Sequence, residues 1–205
     1  MIFNPDSMNV FQQQYGSSIF PGRFIYNPLR NFINNDSPND QNMEKTKEHV
    51  FTFPPPNKLL RIVLADDDID DRDFFAEAIS ELEFKVHLEN VEDGSNLLRI
   101  LEDPDKVLPH LIFLDLNMPN KNGRECLDEI RKNERLKSIP VIIYSTSSSP
   151  KDIEETFVKG ANLYVRKPSS FNDLLVIIRK VLSLNWDKYQ PNASRKNFVF
   201  SSKTH

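Results

Sequence analysis

The sequence predicts an α/β fold: a doubly wound, five-stranded parallel sheet with helices on both faces. Three observations carry that expectation. Five short apolar runs alternate with five amphipathic segments in the 128 residues from 59 to 186. The runs are apolar almost throughout, as strands buried on both faces must be. Each run stops abruptly in charged, amide or hydroxyl residues, so polarity collects at one edge of the sheet. Right-handed crossovers then leave an open, doubly wound sheet as the natural architecture.

Leu60-Arg61-Ile62-Val63-Leu64-Ala65 is the first strand, β-branched in part. Residues 71–84 place Phe75, Ala78, Ile79 and Leu82 at helical spacing. Lys85 to Val91 alternates with period 2, the mark of a strand with one exposed face. Leu97, Leu98 and Leu101 define a second helix, and Leu111-Ile112-Phe113-Leu114 a fully buried strand. Residues 123–136 form a charged helix with Cys126, Leu127 and Ile130 on one side. Val141-Ile142-Ile143-Tyr144 is the fourth strand, 151–159 the fourth helix and Leu163-Tyr164-Val165 the fifth strand. A fifth helix over 171–184 is built on Leu174, Leu175, Ile178, Val181 and Leu182.

The ends of the chain read differently. Residues 1–58 hold nine asparagines, four glutamines, seven prolines and seven phenylalanines, the last without helical or strand period. Pro54-Pro55-Pro56 closes the stretch as a stiff linker. Residues 1–58 are expected to be a disordered extension, with Met43 as an alternative start. The domain occupies 59–186, and 187–205 is expected to be a flexible, basic tail. The formal net charge of −4 divides into a neutral arm, a tail of +3 and a domain of −7. An acidic domain argues against a role in coating nucleic acid or an anionic membrane. No apolar run reaches the roughly 20 residues of a membrane span. Met1 to Asp6 has neither the basic nor the apolar region of a secretory signal. With a single cysteine, Cys126, no internal disulfide can form. The expected location is the cytoplasm.

In an open parallel sheet, ligands bind beyond the carboxyl ends of the strands. Strand one ends in Asp66-Asp67-Asp68 and strand three in Asp115, followed by Leu116-Asn117-Met118-Pro119. Strand four ends in Ser145-Thr146 and strand five in Arg166-Lys167-Pro168. Carboxylates gathered on one sheet edge repel each other unless a cation sits among them, and a few carboxylates completed by backbone and water suit Mg²⁺. A hydroxyl and an ammonium on either side make a cage for an anion. A phosphoryl group fits: Mg²⁺ and Lys167 neutralise it, Ser145 donates a hydrogen bond, and Asp115 is the nucleophile. The constellation reads as phosphoryl transfer to an aspartate.

Four motifs in order, Ala65-Asp66-Asp67-Asp68, Leu114-Asp115-Leu116-Asn117-Met118-Pro119, Tyr144-Ser145-Thr146 and Tyr164-Val165-Arg166-Lys167-Pro168, closely resemble the receiver domain of two-component response regulators. The resemblance covers about residues 59–185, and it is nearest to the CheY-like, stand-alone receivers with a Thr-Ser-Ser run after the fourth strand. It implies a flavodoxin-like (βα)5 fold with Asp115 as the phosphoacceptor. It also implies Asp67 as a direct Mg²⁺ ligand, Asp66 acting largely through water, and the main-chain carbonyl of Asn117 as a further ligand. Ser145 and Lys167 match the family's hydroxyl and lysine, and Tyr164 the aromatic that turns inward when the hydroxyl moves toward the phosphoryl group. Asp68 adds a third acid that could sharpen metal affinity. The implied phosphodonor is a histidine kinase or histidine phosphotransfer protein. Turnover is limited to self-phosphorylation and slow loss of phosphate at Asp115, so the protein is not a conventional enzyme. Nineteen residues after the fold are too few for a helix-turn-helix domain, so the output is expected to be a protein–protein contact, with no direct nucleic-acid binding.

Each feature also has a plainer reading. The acidic triplet alone would serve as a helix N-terminus, Asp115 as a turn residue, Ser147 to Ser149 as a polar loop, Tyr164 as a half-buried strand aromatic and Cys126 as core packing. His49, His87, His110 and His205 are too far apart in sequence to suggest a metal set. Two other functions compete with the receiver. A phosphatase of the haloacid dehalogenase type would use Asp66 and Asp68 as its Asp-x-Asp pair. A pseudo-receiver would use the fold as an unphosphorylated scaffold.

Overall fold

The structure, a computed structural model, describes residues 59–186 and 195–200. The expectations for 1–58, for Met43 and for the remainder of the tail lie outside those residues. Strands and helices alternate: β1 (Leu60–Ala65), α1 (Ile69–Ser80), β2 (Val86–Val91), α2 (Gly94–Glu102), β3 (Leu111–Leu114), α3 (Gly123–Lys132), β4 (Val141–Ser145), α4 (Pro150–Val158), β5 (Leu163–Arg166) and α5 (Phe171–Leu182). A turn of 3-10 helix, Arg195–Asn197, then leads into β6 (Val199–Phe200).

The strand order is β2-β1-β3-β4-β5-β6, with every neighbouring pair parallel. The order reverses between β1 and β3, so the crevice at their carboxyl ends is the place where such a sheet binds ligands. That crevice is where Asp66 and Asp115 emerge. The sheet separates two apolar layers. Val63, Ala65, Ile112, Leu114, Ile143 and Tyr164 face α2, α3 and α4. Ile62, Leu64, Phe113, Tyr144 and Val165 face α1 and α5. Phe75, Phe113 and Tyr144 meet edge to face in the second layer, with ring centroids 4.8, 5.5 and 6.2 Å apart. Cys126 is buried in the first layer, where desolvation pushes its thiol up to about 12.

Helix starts are set by side chains accepting orphan amide protons. Asp68, Asp93, Asn122 and Ser170 cap α1, α2, α3 and α5, and Asn122 with Glu125 completes a capping box. Arg131 closes the opposite edge. Its half-buried guanidinium donates to the carbonyls of Gly160 (2.8 Å), Lys137 (3.1 Å) and Ile139 (2.9 Å) and to Asn162 Oδ1 (2.8 Å). Burial lowers its pKa to about 10.

Two expectations need correction. The sheet has six described strands rather than five, because part of the expected flexible tail adds β6 beside β5, with Tyr164 opposite Val199 and Val165 opposite Phe200. The reason is apolar: Phe198 is 2% exposed, among Phe157 and Tyr164, and Phe200 packs on the other face of the sheet. Helix bounds shift as well: α1 begins at Ile69, where Asp68 caps it, and ends at Ser80 rather than spanning 71–84, and α3 ends at Lys132 rather than 136, where Asn133 leaves the helical conformation.

Candidate functional site

Each site residue owes its place to a strand end. The Asp66 amide donates to the Val91 carbonyl (3.0 Å), and the Asp115 amide to the Ala65 carbonyl (2.9 Å). These bonds carry the ladder one residue beyond the strands and fix the two carboxylates side by side. The Lys167 amide donates to the Ser145 carbonyl (2.9 Å), joining the ends of β4 and β5 in the same way. Gly123, at the start of α3, lies so close behind that a Cβ there would sit 2.0 Å from the Asp115 carbonyl oxygen. No side chain fits between them.

Asp66, Asp67 and Asp115 each offer a carboxylate oxygen within 4.8 Å of the others. Asp66 and Asp115 are buried, whereas Asp67 is exposed. Asp66 Oδ1 accepts from the Asp68 amide (3.2 Å) and the Asp66 carbonyl from Arg72 Nη1 (2.7 Å). Asp115 Oδ2 accepts from the Asn117 amide (3.3 Å). Lys167, 8% exposed, places its Nζ 2.7 Å from Asp66 Oδ2, 2.7 Å from Asp71 Oδ2 and 4.0 Å from Asp115 Oδ2. The same ammonium lies 5.6 Å from the centroid of the Tyr144 ring. Burial raises Asp66 to about 6, opposed by the hydrogen bond and charge of Lys167 and assisted by the charge of Asp115. Lys167 is itself raised: burial opposes its charge, but Asp66 and Asp71 outweigh it. Three clustered carboxylates, with Asp71 beside them, face one lysine among the described residues. That negative surplus and the all-oxygen donor set fit a hard divalent cation.

The sequence placed Asp66, Asp67, Asp115 and Lys167 at one edge, and they meet there. Ser145 is fully buried at the end of β4, its Oγ accepting from the Ser147 amide (3.4 Å). Asn117 is exposed next to Asp115 and engages it through its amide. Tyr164 is buried, and its hydroxyl donates to the Ser147 carbonyl (3.0 Å). Asp68 does not join the cluster. It is the N-cap of α1, accepting from the amides of Asp70 (2.9 Å) and Asp71 (3.4 Å). The plain helix-start reading therefore holds for Asp68 and fails for Asp66. A phosphatase reading that needs Asp66 and Asp68 together loses its second carboxylate.

Two residues escaped the sequence reading. Asp71 reaches Lys167 from the first turn of α1, and the signal was an acid five positions after Asp66 on the helix that rises from the same edge. Ser147, read as loop, links three elements: its carbonyl accepts from Tyr164, and its Oγ donates to Asp152 Oδ2 (2.6 Å), which also pairs with Arg124 of α3 (2.6 Å). The Ser147 hydrogen bond, with help from Arg124, holds the Asp152 carboxyl below its ordinary range.

Residues 62–179 match the model of the response regulator receiver domain. The chain belongs to this family. A probable methanogenesis regulatory protein, FilR2 of Methanothrix harundinacea, is 32% identical over 132 residues, covering 62% of this chain and 85% of the relative. The phosphorylated cyanobacterial phytochrome response regulator RcpA superposes with a TM-score of 0.57 at 32% identity, covering 60% of this chain and 91% of that one. The Mn²⁺-bound response regulator Rcp1 of Synechocystis does so at 0.57 and 30%, covering 65% and 99%. The receiver's acidic crevice thus has the donor set for a divalent metal. Among the described residues no helix is long and apolar enough to cross a membrane.

Proposed function

We propose that this receiver accepts a phosphoryl group on Asp115 from the phosphohistidine of a histidine kinase or histidine phosphotransfer protein, in the cytoplasm. The observation that carries the reading is the meeting of Asp66, Asp67 and Asp115 within 4.8 Å beside a buried lysine. An Asp115 carboxylate oxygen attacks the phosphorus in line, forming an O–P bond as the P–N bond to imidazole breaks. The bonding pair returns to the imidazole nitrogen. Asp66, Asp67, Asp115 and the Asn117 carbonyl would hold a divalent ion, which we take to be Mg²⁺, and it would supply neutralising charge to the phosphoryl oxygens. Lys167 turns from Asp66 and Asp71 toward the new phosphoryl group, a short path from 4.0 Å. The Ser145 hydroxyl donates to another oxygen, and that movement draws on the Ser147 loop to which Tyr164 is bonded. The acyl phosphate is therefore sensed at the surface formed by α4, β5 and α5, and the output is a contact with another protein.

Incubation with Mg²⁺ and a small phosphodonor such as acetyl phosphate tests the reading. One acid-labile phosphate per chain, also released by hydroxylamine as an acyl phosphate is, is expected for the native protein and none for Asp115→Asn. Equal incorporation by both would sink it, and continuous release of phosphate from an external ester would favour a phosphatase.

A further inference from the structure

A sheet that ended at β5 would leave an edge of unpaired amides and carbonyls open to strand addition. Here that edge is filled from within the chain. The Tyr164 amide donates to the Phe198 carbonyl (2.8 Å), and β6 continues the parallel ladder. The Phe198 ring lies 5.1 Å from that of Phe157 on α4 and 6.2 Å from that of Tyr164. Arg195 pairs with Glu154 on α4 and sets its guanidinium 5.9 Å from the Phe157 ring. The segment thus grips both α4 and β5, two of the three elements of the surface through which Asp115 is read.

Tyr164 belongs to both systems. Its hydroxyl reaches the Ser147 loop, and its ring forms one wall of the site for Phe198. We infer that Arg195–Phe200 is a built-in ligand of the α4–β5 edge, whose docking and phosphoryl occupancy at Asp115 strengthen each other through the inward Tyr164. The inference rests on the reading of Asp115 above. When Tyr164 stays inward, Phe198 keeps its wall and β6 its partner strand. When the ring leaves, Phe198 loses a packing surface and β5 becomes an open edge. Coupling of this kind is reciprocal in binding free energy. Phosphorylation therefore closes the β5 edge to any partner that adds a strand, and loss of phosphate opens it.

Beryllofluoride with Mg²⁺, a stable stand-in for the phosphoryl group, makes the coupling measurable on the full chain. Bound fluoride is followed by ¹⁹F NMR and the amides of β5 and β6 by hydrogen exchange. The analogue is expected to slow exchange at Tyr164 and at 198–200 by about fivefold or more, and Phe198→Ala to weaken analogue binding by a similar factor. Arg195→Glu, at an exposed site, should shift both readings the same way with the fold intact, and Glu154→Arg should restore them. If native protein binds no analogue, the reading of Asp115 fails. If it binds with equal strength in native and Phe198→Ala protein, with β6 exchange unchanged, the coupling alone is overturned. A dimer that forms with the analogue and vanishes in Phe198→Ala would put β6 on a second copy and overturn docking within one chain.

Discussion

Lys167 is held by Asp71, its Nζ 2.7 Å from a carboxylate on the first turn of α1 and 4.0 Å from Asp115. The lysine is thus drawn away from the residue whose phosphoryl group it would neutralise. Asp71 is 36% exposed, so water screens the pair and its worth is about 0.5–1 kcal/mol. Asp71→Asn should release Lys167 toward Asp115 and raise phosphoryl occupancy from acetyl phosphate by about two- to fivefold. Phosphate incorporation and loss measured with time check this. Unchanged occupancy would mean that Asp66 alone positions the lysine.

Asp66 gives the metal-free protein a pH dependence. Burial lifts its carboxyl from the ordinary 3.8 to about 6 when folded, so the folded state holds the proton more tightly. That contribution is fully present below about pH 4 and is lost as pH rises through 6. In chelator, urea denaturation should show less stability at pH 7.5 than at pH 5, with Asp66 supplying about 1 kcal/mol of the difference after allowance for screening. Asp66→Asn should flatten the profile, and Mg²⁺ should raise the native protein's stability at pH 7.5 more than the variant's.

Gly123 leaves no room for a side chain behind Asp115, where a Cβ would lie 2.0 Å from its carbonyl oxygen. Gly123→Ala must push α3 or the Asp115 backbone aside. A destabilisation of about 1–3 kcal/mol is expected, together with reduced phosphorylation because the nucleophile moves with its carbonyl. Thermal melting and phosphate incorporation read the two effects separately.

Arg131 satisfies three carbonyls and Asn162 from a half-buried position. Arg131→Met keeps the aliphatic stem and strands those acceptors, costing about 3 kcal/mol or more in urea denaturation. Phosphorylation below the unfolding transition should be unaffected, since the residue lies at the α3–β5 edge remote from the acids.

The layered fold and the strand-end chemistry were legible because both are written in local pattern. Apolar runs such as Leu111 to Leu114 report burial on two faces, and topology then brings Asp66, Asp115 and Lys167 to one edge. What local pattern cannot report is which way a side chain turns. Asp66, Asp67 and Asp68 look alike in sequence, yet the first is buried, the second is exposed and the third caps α1. Asp71 was overlooked because its partner lies 96 positions away. Strand β6 was missed because two residues make no period, although Phe198-Val199-Phe200 is an apolar triplet in an otherwise polar tail and was a usable signal.

Cys126, the one cysteine of the chain, is fully buried between α3 and the sheet with its thiol pushed up to about 12. At neutral pH it stays protonated and out of reach of maleimides, because the thiolate is the reactive form. A cysteine introduced at an exposed site, such as Val199, can therefore carry a fluorophore or spin label alone, with the native thiol left in place. The protein is already suited to site-specific labelling, and distances from β6 to the rest of the sheet can be followed in solution without first rebuilding its core.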